Sequence, residues 1–286
     1  QEDLGPEAKE RLKLKELLAF AAGWYHERLK SSPDAELARK YLASRHVNAA
    51  AMGAFQLGFA PRSGALVDAA LKKGYASGML MRAGLAAPSK QQAGRLRDYF
   101  FDRLLFPIFD AKGAVVAFGG RTLGEGEPKY LNSPESPLFS KSRVLYGLSH
   151  GASAIRKARR ALLMEGYMDV IAAHQHGLAT ACAPLGTALT ADHAGLLGRY
   201  CADAVIVFDA DNAGLNAAVR GAEILLAKGF GVRIATIPGA KDPDELLHEK
   251  GVPPFEACLK AAVDLAQRLG APLKVAKWLL RDDSPL

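Results

Sequence analysis

Residues 161–169 read Ala161-Leu162-Leu163-Met164-Glu165-Gly166-Tyr167-Met168-Asp169, and residues 204–214 read Ala204-Val205-Ile206-Val207-Phe208-Asp209-Ala210-Asp211-Asn212-Ala213-Gly214. Each opens on a short, wholly apolar run that stops on a carboxylate. Such runs mark strands buried on both faces, which belong in parallel sheets covered by helices. Working outward, apolar runs and helical stretches alternate: strands at 161–164, 179–183, 204–208 and 232–237, with helices at 168–175, 191–200 and 215–228 between and after them. Successive βαβ units of this kind form a right-handed parallel sheet. A short helix is expected at 244–251, and helix again from Phe255 to the end.

In such a sheet, ligands bind at the carboxyl ends of the strands. Glu165 follows the first strand, Asp209 and Asp211 the third, and Asp242 and Asp244 the fourth. Carboxylates from three strand ends therefore gather on one edge, where their repulsion calls for cations. Hard oxygen donors suit Mg²⁺ or Mn²⁺, which leave coordination positions open for phosphate oxygens. Two such ions can clamp the attacking and leaving oxygens of a phosphodiester. Each motif also has a structural reading: Asp-x-Asp as a solvated turn, Asp242 and Asp244 as caps of the next helix, Asp169 as a cap or as support for Glu165. Gly186 and Thr187 end the second strand at the same edge, where a phosphate contact and simple turn chemistry both fit. His174, His176 and His193 read as ordinary surface or core histidines.

The chain has 286 residues, 49% of them hydrophobic and 23% charged, which excludes disordered and collagen-like classes. No uninterrupted apolar run approaches the roughly 18 residues of a membrane helix. The net charge of +7 divides unevenly: residues 1–160 hold 26 basic and 15 acidic side chains, residues 161–286 hold 11 and 15. The first part is built to attract polyanions. Cys182, Cys201 and Cys258 lack zinc-site spacing and read as small buried hydrophobes in a reduced compartment, with no zinc expected. The opening lacks a signal or transit composition, and Gln1 suggests a piece of a longer cytoplasmic protein.

In the basic part, helical periodicity covers residues 9–46, and short helices are expected near 65–73 and 75–83. Strands at 104–109 and 115–118 are joined by the turn Asp110-Ala111-Lys112-Gly113, and a long loop follows from Gly124 to Arg143. Arg121, just before this loop, and Lys129, Tyr130 and Asn132 within it combine cations, an aromatic face and an amide suited to phosphates and bases, or else form a structural loop around a packed tyrosine. The run Arg156-Lys157-x-Arg159-Arg160 reads as a solvated helix face or a backbone contact.

These segments carry a specific likeness. Glu165-Gly166-Tyr167-Met168-Asp169-Val170, Leu185-Gly186-Thr187, Asp209-x-Asp211-x-Ala213-Gly214 and Asp242-Pro243-Asp244 resemble the successive motifs of a Toprim domain, in the form found in bacterial primases of the DnaG type. Upstream, Arg103-x-x-Phe106-Pro107-Ile108, Phe118-Gly119-Gly120-Arg121, Pro128-Lys129-Tyr130-Leu131-Asn132-Ser133-Pro134-Glu135, Phe139-x-Lys141 and Leu145-Tyr146-Gly147-Leu148 resemble the primase-specific region that precedes it. One position departs from the pattern: Phe101 stands where the family usually has an arginine.

The resemblance implies a mixed α/β fold in three parts: a basic subdomain (1–157), a Toprim parallel-sheet subdomain (158–240) and a helical tail (241–286). It implies short RNA primer synthesis on single-stranded DNA from ribonucleoside triphosphates, in the cytoplasmic replisome of a bacterium. Glu165, Asp209 and Asp211 would be catalytic, these with Asp242 holding two or more Mg²⁺ or Mn²⁺ ions. Asp169, Gly186, Thr187 and Asp244 would support them. Arg121, Lys129, Tyr130, Asn132 and Lys141 would line the nucleotide and template groove. A replicative helicase would bind through a domain outside this stretch, and the core would be monomeric. Two other readings remain, a Toprim nuclease and a non-catalytic nucleic-acid-binding module.

Overall fold

The computed structural model describes residues 5–89 and 92–264. They form two compact units that divide between Ser140 and Lys141.

In the first unit, α1 (Pro6–Ser31) presents Leu14, Leu17, Leu18, Ala21, Tyr25 and Leu29 as a continuous buried stripe. Each fully buried leucine contributes about 1.5–3 kcal/mol. The helices α2 (Glu36–Ser44) and α3 (Ala49–Ala54) lead to β1 (Gly58–Ala60), where a Cβ on Gly58 would lie 2.6 Å from the Cβ of Tyr25. Glycine there lets the strand approach the helix backbone. After α4 (Leu66–Lys72) and α5 (Ser77–Arg82), β2 (Ala86–Pro88) and β3 (Leu96–Asp98) form a two-stranded ribbon. The long hairpin β4 (Arg103–Phe109) and β5 (Val115–Thr122) turns where Asp110 accepts the backbone N–H groups of Lys112 and Ala114. The sheet order is β1-β4-β5-β6, all antiparallel. Its last strand, β6 (Tyr130–Asn132), lies inside the expected 124–143 loop. Proline and polar residues hide it from pattern reading, and pairing with Gly119, Gly120 and Arg121 creates it.

In the second unit, α6 (Leu148–Ala158) precedes β7 (Arg160–Leu163), α7 (Tyr167–Gln175), β8 (Ala181–Cys182), α8 (Ala191–Leu197), β9 (Asp203–Ile206), α9 (Asn212–Ala227) and β10 (Gly231–Ile234). The sheet order is β11-β10-β9-β7-β8, where β11 is Val263–Asp264, with β7 to β10 parallel as expected. Leu163, Cys182, Ile206 and Val232 from its strands pack with Ala194, Leu197, Ala222 and Leu225 from its helices.

Then come α10 (Pro243–Lys250), α11 (Val252–Ala261) and β11 (Val263–Asp264). The helix expected from Phe255 is present in α11 as far as Ala261, but β11 runs antiparallel to β10 where helix was expected; the part of that expected helix beyond residue 264 lies outside the described residues.

The unit border after Ser140 precedes the expected border at 157/158, which falls inside α6. The physical reason is that Tyr146 already pairs with Ala183 beside β8, and α6 packs on β7 and β8. Likewise α10 packs on α7 and β11 extends the sheet, so residues 241–264, mostly helical as expected, belong to this unit. No helix among the described residues is long and apolar enough to cross a membrane.

Candidate active site

The carboxyl ends of β7, β9 and β10 carry the acidic residues to one edge of the parallel sheet. Glu165 follows β7 after Met164, and its Oε2 accepts the backbone N–H of Asp209 at 3.4 Å. Asp211 is the N-cap of α9, accepting from Gly214 N–H at 2.7 Å. Asp242 is the N-cap of α10, with Pro243 in the first turn, and accepts from Glu245 N–H at 2.8 Å. The capping role foreseen for Asp242 is therefore real, and each capping carboxylate still has a second oxygen. The backbone ties the two loops together: Ala210 N–H donates to the Lys241 carbonyl at 3.1 Å.

Asp169, on the first turn of α7, is buried and accepts the N–H groups of Gly166 at 3.0 Å and Asp244 at 3.4 Å. Burial, and then the charges of Asp209, Asp242 and Asp244, push its pKa well above the usual carboxylate range. Asp244 is 1% exposed and pairs with His248 at 3.0 Å, one turn along α10. Gly186 (φ 62°) and Thr187 sit in the exposed turn beyond β8; among the described residues no hydrogen bond joins them to the carboxylates.

Among the described residues, no three His, Cys, Asp or Glu side chains are drawn to the separations of a formed metal site. The donor chemistry nevertheless fits a hard divalent cation. Burial, and then Glu165, Asp242 and Asp211, raise the pKa of Asp209 to about 6, so a proton takes part of the place a cation would fill.

A testable consequence follows. Without metal, ionising Asp209 costs folded stability once pH passes the unfolded carboxylate range near 4, and the cost is complete above about 6. The melting temperature of Asp209→Asn minus that of the wild type, both in chelator, therefore rises between pH 4 and 7. A flat difference contradicts the crowding.

In the first unit, Arg121 lies opposite Tyr130 across β5 and β6. Tyr130 is 40% exposed, Lys129 is exposed, and Asn132 is half-buried with its carbonyl accepting from Tyr99. Lys141 belongs to the second unit, in a short turn whose carbonyl accepts from His193 Nε2 at 2.8 Å.

Residues 24–152 match the family model described as DNA primase catalytic core, N-terminal domain, and residues 162–247 match the Toprim-like model. The DNA primase of Halalkalibacterium halodurans is 40% identical over 244 residues, covering 83% of this chain and 40% of that protein. A DNA primase domain from Pseudomonas aeruginosa superposes with TM-score 0.81 at 39% identity, over 89% of this chain and 80% of that one. A DnaG primase catalytic domain bound to ssDNA gives 0.80 at 38% identity, over 91% and 84%. This chain belongs to the DnaG-type primase catalytic-core family. It spans about two fifths of the length of the curated primases it matches.

Within this primase core, Phe101 is 50% exposed. The neighbouring Arg103 is 7% exposed, and its Nη1 donates to the carbonyls of Pro128 at 2.9 Å, Gly120 at 3.3 Å and Lys129 at 3.5 Å. Arg103 thus fixes the entry to β6, a role its place in a strand motif did not reveal. Asp98 was also missed: it is buried and caps α4 through the N–H groups of Leu66 and Val67, both at 2.9 Å.

The histidines are accounted for by the fold. His174 bonds the Ala181 carbonyl, His176 the Ala172 carbonyl, and buried His193 bridges Thr190 N–H and the Lys141 carbonyl. Cys182 and Cys201 are buried, burial raising the Cys201 thiol to about 11, whereas Cys258 is only partly covered.

Proposed function

We propose that this chain is the RNA-polymerase core of a replicative primase, joining ribonucleotides on a single-stranded DNA template. The observation that carries this reading is the convergence of Glu165, Asp209, Asp211 and Asp242 from three strand ends onto one edge, in a chain of the DnaG family. Glu165, Asp209, Asp211 and Asp242 are the residues that would hold Mg²⁺ or Mn²⁺. When bound, such ions supply Lewis-acid stabilisation of charge developing on a nucleotide α-phosphate as a primer 3′-hydroxyl attacks and pyrophosphate leaves.

The chain's own groups do the rest. Glu165, at the rigid end of β7, serves as ligand and takes part in proton transfer from the attacking hydroxyl. Asp169 and Asp244 brace α7 against α10 and so fix the loops bearing Glu165 and Asp242. Gly186 and Thr187 face solvent beyond β8 as a phosphate or water contact. Arg121, Lys129, Tyr130, Asn132 and Lys141 neutralise backbone and triphosphate oxygens and stack on a base.

A monomeric core, a cytoplasmic replisome setting and a helicase contact through another region of the full protein complete the proposal. The DnaG catalytic domain bound to ssDNA supports the template assignment. The test supplies single-stranded DNA, ribonucleoside triphosphates and Mn²⁺. Template-directed ribo-oligomers that vanish in chelator are expected; no polymer, or cleavage of the DNA in its place, overturns the reading.

A further inference from the structure

Arg121 is held by aromatic rings and not by an acid. Its Cζ lies 3.9 Å from the ring centroid of Tyr41, on α2, and 6.0 Å from that of Tyr130. Its Nη1 donates to the Thr122 carbonyl at 3.4 Å, its Nε is buried without a hydrogen-bond partner, and no carboxylate pairs with it among the described residues. Tyr41 is anchored in turn: Arg45 Nε donates to its hydroxyl at 3.3 Å, with the Arg45 guanidinium 6.0 Å from the ring.

A carboxylate in the place of Tyr41 would neutralise Arg121. A ring face holds the planar guanidinium by cation–π attraction and leaves the full positive charge available. The rigid fork then needs an acceptor with several anionic oxygens, and phosphate matches it best.

From this we infer that Tyr41 is a positioning residue: it fixes the guanidinium plane of Arg121 so that the fork is presented to phosphate oxygens. The inference rests on the proposed phosphate-binding role of Arg121. Those oxygens belong to the template backbone or to a nucleoside triphosphate, and the two sources are separable.

The full chain is compared as wild type, Tyr41→Leu, Tyr41→Phe and Arg121→Ala. One arm measures the Kd of a fluorescent single-stranded DNA oligonucleotide, the other the KM and kcat for GTP in primer extension. Tyr41→Leu is expected to weaken one arm by about 3- to 10-fold, the span of a partly desolvated cation–π contact. Its kcat is expected to stay within about twofold of wild type, since only binding is affected. Tyr41→Phe, which keeps the ring but loses the hydrogen bond from Arg45, should stay closer to wild type than Tyr41→Leu does, and Tyr41→Leu should add nothing when combined with Arg121→Ala. The arm that responds identifies the source of the phosphate.

If Arg121→Ala weakens binding and Tyr41→Leu does not, the positioning role is overturned. If Arg121→Ala changes neither arm, the phosphate reading of Arg121 fails, and this inference with it. Should Tyr41→Leu not fold, progressively fluorinated phenylalanines at position 41 preserve ring size while draining the π face. Binding should weaken steadily along that series, and a flat response overturns the inference.

Discussion

Glu165→Gln is expected to lower template-directed ribonucleotide incorporation by about 10³-fold while leaving the melting temperature nearly unchanged. The substitution keeps the shape of the side chain. Glu165 is only half-buried, and its one hydrogen bond with a described residue is a long one from the Asp209 backbone, which a glutamine oxygen can also accept. What disappears is one negative charge at the end of β7, together with the capacity to accept a proton. A structural glutamate in this place would tolerate glutamine. Incorporation within about tenfold of wild type would remove Glu165 from the chemistry.

Gly214→Ala should be nearly as damaging by a different route. Asp211 caps α9 by accepting the N–H of Gly214, and the loop folds back so tightly that a Cβ on Gly214 would collide with the Asp209 carbonyl oxygen. The same Cβ would lie 3.1 Å from the Asp209 nitrogen and carbonyl carbon, so backbone and not a flexible side chain must give way. Forcing a methyl group into such a site costs about 1–3 kcal/mol. The displaced backbone is that of Asp209 itself, so Mn²⁺ affinity should fall together with the melting temperature. Gly195→Ala is the control: nothing lies within 4 Å of its Cβ position, and α8 should gain stability from the better helix former. Equal behaviour of the two variants in thermal melts and metal titrations would contradict the packing argument.

The parallel sheet was legible because its strands are buried on both faces, so runs such as Leu162-Leu163-Met164 and Val205-Ile206-Val207 stand out as unbroken apolar text. Their carboxyl ends then located Glu165, Asp209 and Asp242 without any contact information. β6 and β11 were not legible. Tyr130-Leu131-Asn132 sits in polar, proline-rich sequence and becomes a strand only by pairing with β5, and Val263-Asp264 continues a helical pattern until β10 pairs with it. The border between the units was misplaced because α6 carries the basic composition of the first unit yet packs on the sheet of the second. The contacts of Arg103, Asp98 and Tyr41 were not legible for a common reason: they depend on partners distant in sequence, which no local spacing records.

The proposed polymerase chemistry requires that carboxylates from three strand ends hold a divalent cation. Water-proton relaxation by Mn²⁺ measures this directly, with no template or nucleotide present, on the wild-type chain, Glu165→Gln and Asp209→Asn at pH 7.5. The expected result is saturable binding by the wild type and a loss of about tenfold or more in affinity for each variant, as removal of a charged ligand requires. Equal Mn²⁺ binding by all three proteins would contradict the metal centre and the polymerase reading built on it.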